Sequence, residues 1–572
     1  MNDAAAPGSS LPATQHAIQF VAPGRLVHNR AKPVAPPGPH QILARIEAVG
    51  ICFSDTKLFH AFTAHPRKSE VLAGLDATVL AQIPSYVPGE LPTVPGHEVV
   101  CRIVAVGPDV RRHRVGERCL VQTDYRHLPT AGSNAAFGYD FEGGLQEYVV
   151  MDERMIIEPG TGERFLIPVG EAPSASAVAL LEPWACVEAS YTQPERNAPL
   201  AGGRLVVVVD LGHAVRGLRP LLARAAPGSL TAVFAEDAQR DDLAAAVGET
   251  GLATAFVASL DVLADASADD IIYFGADADR IEQLQALLAP RGIIDIVLGG
   301  GRVERPVAVD VGRVHYDLTR WIGTPGESAA DGYRMVPTSG ELRAGDRVAV
   351  IGAAGPMGLM HVVRTVASGL PGIELTAVDI DDARLGHLAG IATPIAAERG
   401  VATSFVNSRT ATLEPGFTYI ALMVPAPPLV AQAVELAGDG ARINVFAGFA
   451  AGTRAAIDLN TLIDKRCYLS GTSGSGIPDM KAVLAKLERG ELDPNISVDA
   501  VTGMEGVADA LAAVEARTSG GKIVVYPSLH ETGMMRLSEL GERVPAAGAG
   551  LRDGRWTRAA EEAFLAASEV AP

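Results

Sequence analysis

Short apolar runs broken by glycine and proline fill the first third of the chain. The runs at 42–46, 99–106 and 120–122 read as strands of a β-rich region spanning about 16 to 195. Pro33, Pro36, Pro37 and Pro39 share one loop just before the first of them. From about 200 to 525 the pattern changes. Apolar strands of four to six residues now alternate with Ala/Leu-rich helical segments, the βαβ pattern of a parallel sheet. Residues 415–434 carry no charge but include four prolines, so they read as strand, loop and helix start rather than a membrane span. Residues 1–15 are rich in Ala, Gly, Ser and Pro and read as a disordered arm. The tail from 528 to 572 holds one helix candidate, 557–569.

The α/β region contains an internal repeat. Arg204, Leu230, Asp310 and Gly323-Thr324 recur as Arg347, Leu375, Asp458 and Gly471-Thr472. The Arg-to-Asp interval is 106 residues in the first copy and 111 in the second, and in both the Asp precedes Gly-Thr by 13 residues. The copies differ where a nucleotide would bind. The second has Gly352-Ala-Ala-Gly355-Pro356-Met357-Gly358 after a strand and opening a helix, with Asp379 21 residues beyond Gly358. Such glycines admit a pyrophosphate, the helix N-terminus offers free N–H groups, and the acid meets ribose hydroxyls while repelling a 2′-phosphate. NAD is therefore favoured over NADP. In the first copy Val209, Gly212, Val215 and Phe234 stand opposite Gly352, Gly355, Gly358 and Asp379. Side chains there block phosphate approach, so this copy is read as a fold without a cofactor.

Composition narrows the class. The chain has 67 acidic and 48 basic residues, a net charge of −19, which argues against nucleic acid and anionic membrane as partners. Its five cysteines form no CxxC pair, which fits a reducing compartment rather than a disulfide framework. No Lys or Arg precedes Arg25 and no apolar run lies there, so a cytoplasmic protein without a signal peptide is expected.

Three segments carry candidate chemistry: Gly50-Ile-Cys52-Phe-Ser54-Asp55, Gly96-His97-Glu98, and Leu181-Glu182-Pro183-Trp184-Ala185-Cys186. Cys, His and carboxylate are the zinc ligand set. Taken singly, each segment reads equally well as a buried thiol, a turn and a helix start.

Together, upstream of a nucleotide fold, they resemble the zinc-dependent medium-chain dehydrogenase/reductase family, in its sorbitol-dehydrogenase-like branch. The stretches 96–118, 143–150, 345–358, 490–500 and 520–527 are also similar to that family. The Glu182-to-Cys186 run and residues 137–148 look most like the L-sorbose-1-phosphate reductase type. The resemblance implies a GroES-like catalytic domain at 16–200 that returns at 477–527 and an NAD-binding Rossmann domain at 341–476. The degenerate Rossmann-like copy, 201–340, is inserted between them, and 528–572 is an extension. It implies Cys52, His97, Glu98 and Glu182 as metal residues, with the direct carboxylate ligand left open between Glu98 and Glu182. Ser54 would pass the alcohol proton and Asp55 would orient a ligand. It implies one catalytic zinc, no structural zinc, and a small polyol, sugar or sugar phosphate as substrate.

There are departures. Lys57 stands where the family's relay His usually lies, Ala353 takes the usual first-glycine place, and the Cys52–His97 interval of 45 residues holds an insertion at about 64–92. His65, Arg67 and Lys68 of that insertion are either phosphate contacts or a solvated loop. The expected activity is NAD-linked interconversion of a secondary alcohol and its ketone. A zinc-free NADPH-dependent quinone or enone reductase and a redox-inactive nucleotide-binding protein are the alternatives. The two Rossmann copies are expected to pair edge strands, 318–323 beside 467–471, as a pseudo-dimer within one chain. A homo-oligomer is also left open.

Overall fold

The computed structural model describes residues 11–248 and 251–569. They fall into two compact units, one holding the chain up to Cys186 and from Gly474 onward, the other Val187–Ser473. Most of the 1–15 arm lies outside the described residues. Its end does not: Thr14–Ala22 is a strand, paired with Arg25–Pro33, because Ala17, Ile18 and Phe20 bury their side chains. No helix among the described residues is long and apolar enough to cross a membrane.

The first unit is built on an eight-stranded sheet. Its long strand Gln41–Ile51 pairs antiparallel with Glu98–Val106 on one side. On the other side it pairs with Tyr148–Asp152 near its start and with Lys522–Val525 over its last three residues. Chain segments more than 400 residues apart thus become neighbouring strands. In the insertion, Phe62–Ala64 and Pro66–Lys68 form 3₁₀ turns. Lys68 is fully buried, donates to the carbonyls of Val87 and Leu91, and lies 5.5 Å from the Phe62 ring centre. Burial pulls its ammonium down to about 8. Lys68 is therefore neither a phosphate contact nor part of a solvated loop, because backbone carbonyls take its protons.

The C-terminal tail packs onto this unit. Its last helix is Arg558–Glu569. Buried Glu561 accepts the backbone N–H groups of Ala175 (2.6 Å) and Ser176 (2.8 Å) and the Tyr526 hydroxyl (2.8 Å). Trp556 Nε1 donates to Ser176 Oγ at 3.1 Å. A carboxylate on the first amides of helix Ala175–Ala179 satisfies donors that have no partner inside the helix.

The second unit carries a twelve-stranded sheet. In the first half the order is Ala253–Phe256, Ser229–Phe234, Arg204–Val209, Ala268–Phe274, Leu288–Val297, Arg320–Thr324. It continues through Tyr468–Gly471, Ala437–Val445, Phe417–Leu422, Arg347–Ile351, Glu374–Asp379 and Ala402–Asn407. Counted from its own first strand, each half has the order 3-2-1-4-5-6 of a dinucleotide fold, all parallel. The halves meet antiparallel at Trp321 and Leu469. A second antiparallel pair joins Val307–Asp310 to Arg454–Ile457. Val309, Val314 and Trp321 share one apolar core with Ile457, Leu462 and Leu469. Glu195 ties the seam, 2.9 Å from Arg320 Nη2 and accepting the Tyr468 hydroxyl at 2.6 Å.

Replacing Glu561 with Ala strands two amides and a hydroxyl. Thermal unfolding should register a loss of roughly 2–4 kcal/mol, against about 0.5 kcal/mol or less for Glu562→Ala, whose exposed side chain pairs with Arg558. Equal effects would contradict the docking role of the tail.

Candidate functional site

Strand register brings the candidate metal residues together. Gly50 lies opposite Glu98 and beside Val524, so the end of one strand, the start of the next and the return segment converge. A Cβ on Gly50 would come within 2.0 Å of Glu98 Oε2, so glycine makes room for that carboxylate. Cys52 caps helix Phe53–Ala61. Asp55, in its first turn, accepts from the Cys52 N–H (2.8 Å) and the Gly96 N–H (3.2 Å) and lies 3.2 Å from His97 Nδ1. A carboxylate only accepts, so Nδ1 carries a proton, and Nε2 is the ring nitrogen that would meet a cation.

Ligand atoms of Cys52, His97 and Glu98 all lie within 4.8 Å of one another. Ser54 Oγ is 3.4 Å from Cys52 Sγ. Asp55 holds the imidazole and the loop. Glu182 stands in the first turn of helix Leu181–Thr192 and accepts a long contact from Cys186 Sγ at 3.6 Å. It falls outside the close trio. Burial pushes its carboxyl up to about 7, His97 opposing and the charge of Glu98 adding to the rise.

Sequence reading missed Lys522. Its ammonium, almost fully buried, forms an ion pair with Glu98 and lies 3.3 Å from the Ile51 carbonyl. Glu98 is fully buried, and its Oε2 has no hydrogen-bond partner among the described residues. An unpaired carboxylate oxygen in a cluster with a thiol and an imidazole is a donor set that fits a zinc-type cation. Cys52, His97 and Glu98 could hold it, with Glu182 beside them. Nothing in the local sequence marks Lys522, which sits in an apolar strand 424 residues from Glu98. Tyr139 was also missed. Its ring centre is 5.7 Å from that of His97, and burial raises its hydroxyl to about 12.

The nucleotide-type turn lies in the second unit. Gly352 has φ +82° and leads through Gly355 into helix Pro356–Ala367, with Pro356 and Met357 half-buried in its first turn. A Cβ on Gly358 would sit 2.4 Å from the Gly352 carbonyl, so only glycine lets helix and turn pack. Asp379 ends its strand with Oδ2 accepting from Ala354 N–H (3.0 Å) and Oδ1 from Ile380 N–H (2.8 Å). It braces the turn, a role its spacing alone did not suggest. Arg384, five residues on, donates to the Ala354 carbonyl at 2.7 Å. A cavity of about 160 Å³ opens beside the ends of these strands, lined by Ile351, Val378, Ser408, Thr412, Leu413 and Leu429. In the first half the corresponding helix starts only at Leu218, and Gln239 Nε2 ties the intervening loop through the Asp210 and His213 carbonyls (2.7 and 2.9 Å).

Asp140, next to Tyr139, gives a pH test. Burial raises its carboxyl to about 7 from 3.8. The folded state then keeps a proton that the unfolded chain has lost, so stability falls as pH rises from about 4 to 7. Asp140→Asn removes this slope. Its melting temperature should gain on the wild type as pH rises, by a free energy on the order of 4 kcal/mol at most. Parallel curves from pH 5 to 8 would contradict the burial argument.

Residues 38–160 match the alcohol dehydrogenase GroES-like domain. The uncharacterized protein YggP of Escherichia coli strain K12 is 26% identical over 197 residues, 32% of this chain and 46% of that protein. The chain thus spans about half the length of that relative. D-altritol 5-dehydrogenase of Agrobacterium fabrum is 27% identical over 295 residues, 46% of this chain and 77% of that protein. The crystal structure of 2R,3R-butanediol dehydrogenase from Bacillus subtilis shares the fold, with a TM-score of 0.50 at 15% identity, covering 90% of this chain and all (100%) of that one. Residues 38–160 thus carry an alcohol dehydrogenase GroES-like domain, and the chain is similar to alcohol and polyol dehydrogenases.

Proposed function

We propose that the chain is a zinc-dependent, NAD-linked dehydrogenase that interconverts a secondary alcohol of a polyol or sugar with its ketone. The observation that carries this reading is the cluster of half-buried Cys52 with buried His97 and Glu98, whose carboxylate has one unpaired oxygen. The similarity to D-altritol 5-dehydrogenase supports a polyhydroxy substrate. Zinc, when bound, supplies Lewis acidity that lowers the pKa of an alcohol, and NAD+ supplies the hydride acceptor.

The chain's own groups do the rest. Asp55 fixes the His97 tautomer and orients the ring. Ser54 Oγ, half-buried beside Cys52 Sγ, relays the hydroxyl proton: it accepts that proton as its own leaves to water, and the exchange runs backward on reduction. Lys522 pairs with buried Glu98 and offsets its charge. Met357 and Gly358, in the first turn of the helix that Pro356 opens, present backbone N–H groups to a pyrophosphate, and Gly352 and Gly355 leave the turn bare for its approach. Asp379 closes that turn with a carboxylate, which favours NAD over a cofactor bearing a 2′-phosphate. The half-sheet from Arg204 to Thr324 is read as an in-chain stand-in for a partner subunit: it covers the Tyr468–Gly471 edge, and its Gln239-tied loop replaces a phosphate turn.

Metal-replete protein should carry about one zinc per chain and reduce NAD+ in preference to NADP+ with a polyol. Cys52→Ser should lose the zinc and lower kcat/KM by roughly a thousandfold or more, since transition-state charge stabilisation by a metal amounts to several kcal/mol. Full turnover in Cys52→Ser would sink the reading and favour a zinc-free reductase.

A further inference from the structure

The insertion between Cys52 and His97 places a second polar group beside the metal trio. Tyr139 is the link. Its ring centre is 5.7 Å from that of His97, 5.0 Å from that of His65, and 5.6 Å from the Arg67 guanidinium carbon. Arg67 Nη2 is 2.9 Å from Asp124 Oδ1. Asp124 also accepts from Asn134 Nδ2 at 3.0 Å and from Arg126 Nε at 3.3 Å. The Arg67 side chain keeps 27% of its surface open, so the pair is not sealed in the core.

The charge balance here decides what could bind. Arg67 is already matched by Asp124. Burial pulls the His65 imidazole down to about 4, so that ring is neutral at pH 7. Its Nδ1 accepts the Arg67 backbone N–H at 3.2 Å, which leaves the ring proton on Nε2 as a donor. Lys68, which could have added positive charge, is consumed by backbone carbonyls. A phosphate dianion would have to displace Asp124 and face its repulsion. An uncharged hydroxyl suits the site better. Each hydroxyl donates once and accepts twice, and this wall alternates donors on Arg67 and His65 with an acceptor on Asp124. Such convergent polar groups orient a ligand without demanding that it carry charge.

We infer that Arg67, Asp124 and His65 form a subsite for the hydroxyls of an unphosphorylated alditol or ketose whose reacting carbon lies at Cys52 and His97. The inference rests on the dehydrogenase reading above and narrows its substrate class. A sugar phosphate would then be the poorer substrate, although the insertion carries three basic side chains.

The test compares three substrates on zinc-loaded full-length protein with NAD+: a six-carbon alditol, its 1-phosphate, and 2-butanol, which has no second hydroxyl. The wild type should favour the alditol over the 1-phosphate at least tenfold in kcat/KM. Arg67→Gln and the charge-keeping Arg67→Lys, checked for unchanged melting temperature, should lower the alditol-to-2-butanol ratio roughly 10- to 100-fold, because a paired fork is lost. Asp124→Asn should lower the rate on the alditol and raise the relative rate on the 1-phosphate. A wild-type preference for the 1-phosphate that Arg67→Gln abolishes would overturn the inference in favour of a phosphate site. An unchanged ratio in both Arg67 variants would overturn it as well. Turnover of 2-butanol with none of the alditol would sink the subsite alone, whereas no turnover with any of the three would sink the dehydrogenase reading and the subsite with it.

Discussion

A carboxylate taken wholly out of water needs compensation, and the first unit is arranged around giving Glu98 that compensation. Gly50 is bare so that the side chain fits. The return strand Lys522–Val525 pairs with the end of Gln41–Ile51 and so delivers an ammonium from the far end of the chain to one carboxylate oxygen. The other oxygen has no partner among the described residues, in a carboxylate clustered with Cys52 and His97. Asp55 holds both of those residues, through the Cys52 N–H and the His97 ring. Removing Lys522 would leave Glu98 buried without its counter-charge, so the return of the chain to this sheet serves the cluster as well as the fold.

The same logic explains two outlying parts. The tail places Glu561 on the first amides of helix Ala175–Ala179, which runs directly on toward the helix that bears Glu182. The tail therefore steadies the element that carries a site carboxylate. In the second unit, two half-sheets of equal order share an edge and one apolar core. Only one keeps the glycine turn with an acid bracing it. In the other, Gln239 and an extended loop fill the corresponding turn.

Local pattern made much of this legible. The βαβ alternation marks the parallel strands, and Arg204 and Arg347 each open the first strand of a half-sheet. Cys52, His97 and Glu98 stand in short segments whose chemistry is visible by residue type, and strand register does bring them into one cluster. Pairings across hundreds of residues left no local trace. Lys522 lies in a run of valines, and nothing nearby shows that its partner is Glu98. Spacing placed Asp379 at a strand end as a ribose contact but could not show that it also accepts from the Ala354 amide. Lys68 looked like a surface cation, since composition cannot show that carbonyls of Val87 and Leu91 close over it. The tail offered one amphipathic helix, and its docking depends on Glu561 meeting a helix start that sequence order places 386 residues away.

The central claim is that Cys52, His97 and Glu98 bind one metal ion in the folded chain. Titration of metal-free protein with cobalt(II), followed by optical absorption, tests it most directly, because a cobalt–thiolate bond gives a charge-transfer band that oxygen and nitrogen ligands do not. The account predicts a band that saturates at one equivalent per chain, disappears in Cys52→Ser and persists in Cys186→Ser. No thiolate band, or a band that survives Cys52→Ser, would contradict it.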